Sequence, residues 1–137
     1  FERGNIEIVR EFDDVAPLLL QKDRLMQIVS NLLLNSLHAI RERAPDEPRM
    51  ILRVRAHDET VCIEIEDNGI GIDAVVIERI FDHGFSTKND GSGLGLAASQ
   101  TAIEELGGSL RAKSKGPGFG ATFTIELPAA RQGRTEC

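Results

Sequence analysis

Three stretches of this chain alternate between apolar and polar residues, and that period of two constrains the rest of the fold. Leu52, Val54 and Ala56 alternate with Arg53 and Arg55. Val61, Ile63 and Ile65 alternate with Cys62, Glu64 and Glu66, and Ala121, Phe123, Ile125 and Leu127 share one face of a last strand. A strand patterned this way has one buried and one wet face, which is the mark of an antiparallel sheet. Asn5 to Phe12 shows a weaker alternation and Ser109 to Lys113 reads as a short strand, while Asp58 and Glu59 form the expected turn between the two central strands.

Between the strands the period changes to that of a helix. From Leu25 to about Arg43, the residues Leu25, Ile28, Val29, Leu32, Leu33, Ser36, Leu37 and Ile40 form a broad apolar stripe. Asp23 is the expected N-cap, and Pro45 and Pro48 stop the helix. A short helix is expected near Val75 to Phe81. A second long one carries Leu96, Ser99, Gln100, Ile103 and Leu106 and ends at Gly107-Gly108. From Pro128 the chain turns polar, so residues 1–128 read as one domain and residues 129–137 as a frayed tail.

Composition narrows the function. The chain has 137 residues, one domain's worth, with 41% hydrophobic and 28% charged residues, so it is neither a disordered nor a membrane sequence. Its net charge of −6 leaves no basic field for a nucleic-acid backbone. No apolar run approaches the roughly 20 residues needed to span a bilayer, so no membrane contact by this domain is expected. Two cysteines, Cys62 and Cys137, make no disulfide framework, and a strand residue with the last residue is a poor pair for a bridge. A reducing, cytoplasmic location is the expectation, with a parent that could be membrane-anchored. The chain opens Phe-Glu-Arg-Gly without Met and reads as a piece of something longer.

Three features carry chemistry. On the first helix Gln27, Asn31, Asn35, His38 and Glu42 form a second stripe, distinct from the leucines. Asparagine carbonyls are hard oxygen ligands, suited to a Mg²⁺ that keeps waters and shares phosphates. Asp67 has the parity of Val61, Ile63 and Ile65, so it aims at the core face, where a carboxylate needs hydrogen bonds or a ligand amine to accept from. Gly69 and Gly71 would let a ligand approach the backbone. Finally, Lys88-Asn89-Asp90-Gly91-Ser92-Gly93-Leu94-Gly95-Leu96 puts glycines directly before a helix, where amides and the helix dipole can meet phosphate. It matches neither the Walker A spacing nor the dinucleotide fingerprint.

The order of these features is more telling than any one of them. Asn31 and Asn35, then Asp67-Asn68-Gly69-Ile70-Gly71, then Phe81 to Phe85-Ser86-Thr87-Lys88, then Gly91 to Leu96, then Gly118-Phe119-Gly120-Ala121-Thr122-Phe123 resemble the N, G1, F, G2 and G3 boxes of the catalytic ATP-binding domain of bacterial sensor histidine kinases, in the GHKL ATPase/kinase superfamily. The resemblance runs from Ile6 to Pro128. It implies a two-layer α/β sandwich of the Bergerat type, with three helices over one face of a mixed, largely antiparallel sheet of about five strands. It also implies ATP and Mg²⁺ as cofactors, Asn35 as the Mg²⁺ ligand, and Asn35 with Lys88 as the catalytic pair. Asn31 and His38 would lie on the phosphate side, Asp67 would accept from the adenine amino group, and Gly69, Gly71 and Ile72 would be among the nucleotide-binding residues. Lys88, Gly93, Leu94 and Gly95 would hold the phosphates under a lid of about Asp82 to Ser92, with Gly91 and Leu96 also binding nucleotide and Thr122 at the adenine. Three departures stand out: Gly84 where an aromatic is frequent, Ala121 where a hydroxyl is frequent, and His38 where another polar residue or Lys is frequent.

The implied partners are a dimerisation domain bearing the acceptor histidine, absent from this chain, and a response regulator downstream. None of His38, His57 and His83 has an acceptor's context. The alternatives are a hydrolysing ATPase or a protein-serine kinase of the same superfamily. Hydrolysing relatives carry a glutamate one helical turn before the Mg²⁺-ligating asparagine, where this chain has Asn31.

Overall fold

The computed structural model describes residues 7–12, 22–57, 59–82 and 94–128. Among the described residues five strands and two α-helices follow one another as β1 (Glu7–Phe12), α1 (Lys22–Arg43), β2 (Arg49–His57), β3 (Thr60–Asp67), α2 (Leu94–Glu105), β4 (Ser109–Lys113) and β5 (Ala121–Pro128). The strands form one sheet in the order β1-β2-β3-β5-β4. β1 pairs with β2 in parallel and every other neighbour is antiparallel, so the sheet is mixed and largely antiparallel. Because α1 connects the one parallel pair, the crossover lays it over the sheet. The result is the expected two-layer α/β arrangement.

The helix count differs from expectation. The stretch expected to be a third helix holds only a 3₁₀ turn, Val76–Glu78, among the described residues. Three residues between a glycine-rich loop and a turn leave no room for consecutive i→i−4 bonds. Helix α1 also begins earlier than expected, so Asp23 sits inside the first turn and complements the helix dipole there.

The leucine stripe of α1 faces the sheet as its spacing requires. Leu25, Ile28, Leu32, Ser36 and Ile40 are buried, with Val29, Leu33 and Leu37 on the margins. Leu25, Ile28 and Leu32 pack with Val61, Ile63 and Ile65 of β3, Phe123, Ile125 and Leu127 of β5, and Ile103 and Leu106 at the end of α2, while Ile40 packs with Met50 of β2, flanked by Leu33 and Leu37. The helices stop where their last residues dictate. Ala44 turns left-handed after α1 and donates its N–H to the Ile40 carbonyl at 2.7 Å. After α2, Gly107 takes a φ of 90° and the Gly108 N–H returns to the Ile103 carbonyl at 2.9 Å.

The other face of the sheet is wet and charged. Arg53 on β2 bridges Glu64 at 3.3 Å and Glu66 at 2.9 Å on β3, and Arg111 on β4 reaches Glu126 on β5 at 3.4 Å. Opposite charges across strands hold register more than they add stability. Cys62 lies on this face and is disulfide-bonded, with no other cysteine among the described residues. That corrects the expectation that it would form no bridge. The polar tail, 129–137, and most of the expected lid lie outside the described residues.

Leu32 is fully buried at the centre of the helix–sheet contact. Leu32→Ala should cost about 2–5 kcal/mol, read from a lower urea midpoint at unchanged m-value.

Candidate functional site

Asp67 ends β3 at the point where the sheet's helix-covered face opens into a cleft. Strand parity points its carboxyl inward beside Ile65, and the residue is 6% exposed. The carboxylate accepts the Gly69 N–H at 2.8 Å, an Asx turn that closes on itself. Burial pushes the Asp67 carboxyl above its usual range, and the negative Glu66 adds slightly. The Gly69 amide, the Ser36 hydroxyl and the Ala121 amide pull the other way.

The segment after Asp67 is clamped between α1 and the loop before β5. A Cβ on Gly69 would lie 2.5 Å from the Ala39 carbonyl carbon and 2.6 Å from its Cβ, so only glycine lets α1 come this close. The Ile70 N–H donates to the Ala39 carbonyl at 3.1 Å, fixing that contact. Gly71 takes a φ of 77° and packs on the Gly116 carbonyl, and the Gly118 N–H reaches the Ile70 carbonyl at 2.7 Å.

Two residues that the sequence did not single out hold this clamp. Asn68 accepts the Arg49 N–H at 2.9 Å and donates to the Glu47 carbonyl at 2.8 Å, pinning the floor to the start of β2. Ser114 Oγ accepts the Ile72 N–H at 3.0 Å and the Gly116 N–H at 3.1 Å, and donates to the Gly120 carbonyl at 2.6 Å. Neither leaves a pattern in the sequence, because their partners lie as far as 21 and 42 residues away.

The cleft has a volume of about 270 Å³. Asn35, His38 and Glu42 of α1 form one wall, Asp67 the floor, and Gly71, Ile72, Val76 and Ile80 the far side, closed by Leu96, Ala121 and Phe123. A few polar groups at one end of an apolar slot suit a flat ring with a polar tail. His38 Nδ1 is buried with no hydrogen-bond partner among the described residues.

Of the expected site residues, Asn35, His38, Asp67, Gly71, Ile72 and Leu96 therefore come together. Gly69 instead provides the close approach beneath. Asn31 stands one turn before Asn35, half-buried, and is not part of the cleft wall. Thr122 is not among the cleft residues: it alternates with Ala121 and Phe123, and lines a wider hollow of about 700 Å³ among the charged residues of the outer face and a smaller one of about 350 Å³ that it shares with Asp67 and Ala121. Ala121 takes the place at the cleft. Leu94 and Gly95 open α2, while Lys88, Gly91 and Gly93 lie outside the described residues.

Among the described residues no three His, Cys, Asp or Glu side chains cluster to hold a metal by themselves. Asn35 supplies one hard oxygen, which fits an ion whose other ligands are phosphate and water.

Asp67 carries a cost without a ligand. Its raised folded pKa means the folded state holds the proton more tightly, so its contribution favours folding at low pH and is lost as pH rises through that value. Asp67→Asn keeps an acceptor for Gly69 and removes the charge. At neutral pH its ligand-free urea midpoint should equal or exceed that of the wild type, with a flatter pH dependence across the carboxylate range.

Comparison with known proteins agrees with this geometry. The profile of the histidine kinase-, DNA gyrase B- and HSP90-like ATPases matches residues 20–131. The chain is 38% identical over 135 residues to the signal transduction histidine-protein kinase AtoS of Escherichia coli K12, covering 96% of this chain and 21% of that protein. It is 43% identical over 115 residues to the sensor histidine kinase ZraS of Klebsiella oxytoca, covering 83% and 24%. The chain thus spans about a fifth to a quarter of the length of these curated relatives. Among solved structures, a mycobacterial sensor histidine kinase, MprB, superposes with a TM-score of 0.78 at 26% identity over 95% of this chain and 86% of that one. Full-length ShkA in complex with AMPPNP gives 0.77 at 29% identity, over 94% of this chain and 27% of that one. A buried aspartate under a glycine-cleared helix, an asparagine on the wall above it and the matching profile along the chain lead to one conclusion: this chain belongs to the family of histidine kinase-, DNA gyrase B- and HSP90-like ATPases.

Proposed function

We propose that this chain is the ATP-binding, phosphoryl-donating domain of a two-component sensor histidine kinase. The carrying observation is the carboxylate of Asp67 at the floor of an apolar cleft, with Asn35 on the wall above it. An acceptor buried among Ile72, Ala121 and Phe123 suits the amino group of adenine, the base sliding between the glycine loop and α1. The ShkA structure, which holds AMPPNP, supports a nucleotide in a fold of this kind.

The phosphates would run from the base toward Asn35 and the start of α2. There the first-turn amides of a 12-residue helix lack intrahelical partners and favour an anion. Asn35 would hold Mg²⁺, which supplies charge neutralisation on the phosphates when bound. His38 lies within the same wall, and Lys88 would reach the terminal phosphates. Phosphoryl transfer demands positioning and charge stabilisation more than a reactive protein group, and this set provides both.

The acceptor would be a histidine on a dimerisation domain outside this chain, and a response regulator would take the phosphoryl group next. Curated relatives named as sensor kinases are four to five times longer than the matched segment, which leaves length for such domains. No helix among the described residues is long and apolar enough to cross a membrane. A cytoplasmic position for this domain follows from the kinase reading and not from its cysteines, since the bridged Cys62 runs against a reducing compartment; a net charge of −6 gives nucleic acid no role.

Kinase is favoured over ATPase by Asn31. An amide one turn before Asn35 cannot take a proton from water near neutral pH. General-base assistance is worth about 10²–10⁴ in rate, so water would remain a poor nucleophile. The isolated domain should therefore bind Mg-ATP in calorimetry and hydrolyse it slowly. Adding a two-helix histidine domain from a relative should produce acid-labile phosphate on that partner. Rapid turnover by the isolated domain, abolished by Asn35→Ala, would reverse the assignment in favour of an ATPase. Asp67→Asn should weaken ATP binding by about 1–3 kcal/mol, the cost of mispairing a buried polar group.

A further inference from the structure

The outer face of the sheet is covered at one end only. Along β3 its outward residues run Thr60, Cys62, Glu64 and Glu66. Thr60 and Cys62 are buried, whereas the Glu64 and Glu66 side chains are 26% and 42% exposed. Glu126, the cross-strand neighbour of Cys62 on β5, is buried as well. Both α-helices pack on the opposite face, and short side chains on an open sheet face stay wet unless something lies over them. The covered end is the one where β5 finishes, since Pro128 pairs with Thr60.

Cys62 is disulfide-bonded at this end, and the chain holds one other cysteine, Cys137. From Thr60 to Cys62 is a step of about 7 Å along the strand. Residues 129–137 can span about 30 Å when extended. The bridge therefore asks them to turn back over the covered end and puts no stretch on the chain. The sulfur is also within reach of a small reagent. Cys62 lines the outer hollow of about 700 Å³, in which four cations, Arg53, Arg55, Arg111 and Lys113, face two carboxylates, Glu64 and Glu66. Space of that size with an excess of positive charge suits a small anionic thiol. In a domain placed in the cytoplasm, as proposed above, a bridge is of the transient, redox-responsive kind.

We propose that Cys62 and Cys137 form a thiol–disulfide switch. Oxidised, the bridge straps residues 129–137 across the Thr60, Cys62 and Glu126 end of the sheet; reduced, it releases them and bares that surface. In the closing step one protein thiolate attacks a low-molecular-weight disulfide and expels a thiolate. The second protein thiolate attacks the mixed disulfide, forms the intrachain S–S bond and expels a second thiolate. Two protein thiols are thereby oxidised, one small disulfide is reduced to two thiols that carry away the two protons, and opening is the reverse. Cys62 does not line the ATP cleft, so the switch stands independently of the nucleotide reading.

The test equilibrates the 137-residue chain in mixtures of glutathione and its disulfide, then quenches, alkylates and weighs it. A single intrachain bridge should form as the share of disulfide rises and vanish in excess glutathione. Arg131 and Arg134 are tryptic sites inside the strap. Cutting there, read by mass after reduction, should be about tenfold or more slower in the oxidised chain, because trypsin takes the open form. Cys137→Ser removes the bridge without altering the sheet and should be cut at the fast rate in both mixtures, with thermal melting as its folding control. A bridge that survives excess glutathione, a glutathione adduct or a linked dimer in its place, equal cutting of the two forms, or slow cutting of Cys137→Ser in the oxidising mixture would each overturn the switch. None of these outcomes bears on ATP binding.

Discussion

Everything in the cleft depends on how closely α1 approaches the end of β3. Gly69 permits the Ala39 backbone to lie where any Cβ would clash, and one hydrogen bond from the Ile70 N–H to the Ala39 carbonyl locks the distance. With a side chain at position 69, α1 would stand off the sheet. Asn35 and His38, one turn and one residue before Ala39, would then rise away from Asp67. The separation of wall and floor is therefore a backbone property, held by a residue that never touches a ligand in the arrangement proposed.

A second constraint follows from what is kept at that floor. The ligand-free domain tolerates a carboxylate that burial opposes, compensated by two backbone amides and a neighbouring hydroxyl. A carboxylate kept at such cost, at the base of an apolar slot, is more informative about function than any exposed charge. The charged ladder on the opposite face makes the contrast. Arg53, Glu64 and Glu66 are satisfied by one another across strands, which is what structural charges do.

Helix α1 serves both layers of this logic. Its buried stripe supplies the core through Leu25, Ile28 and Leu32. Its second stripe carries Asn35, His38 and Glu42 to the wall. A helix with two functional faces a quarter-turn apart cannot rotate to improve one without losing the other, so the packing of the leucines sets the geometry of the asparagine.

The sequence by itself determined the elements and their order. Period-two alternation in β2, β3 and β5 and the leucine period of α1 depend only on neighbours within a few residues, so they were legible without a structure. The order of the asparagine, aspartate and glycine motifs likewise carried the family, and the inward parity of Asp67 followed from counting along β3. Thr122, which the resemblance puts at the adenine, alternates with Ala121 and Phe123, and of these it is Ala121 and Phe123 that line the cleft. Only the tertiary structure decided which distant groups meet. The bonds of Asn68 to Arg49 and Glu47 and the three bonds of Ser114 arise where segments tens of residues apart converge. The reduction of the expected third helix to a 3₁₀ turn belongs to the same class. Local pattern specifies what a segment becomes, but contact across the chain specifies what it touches, and the chemistry of a site resides in the contacts.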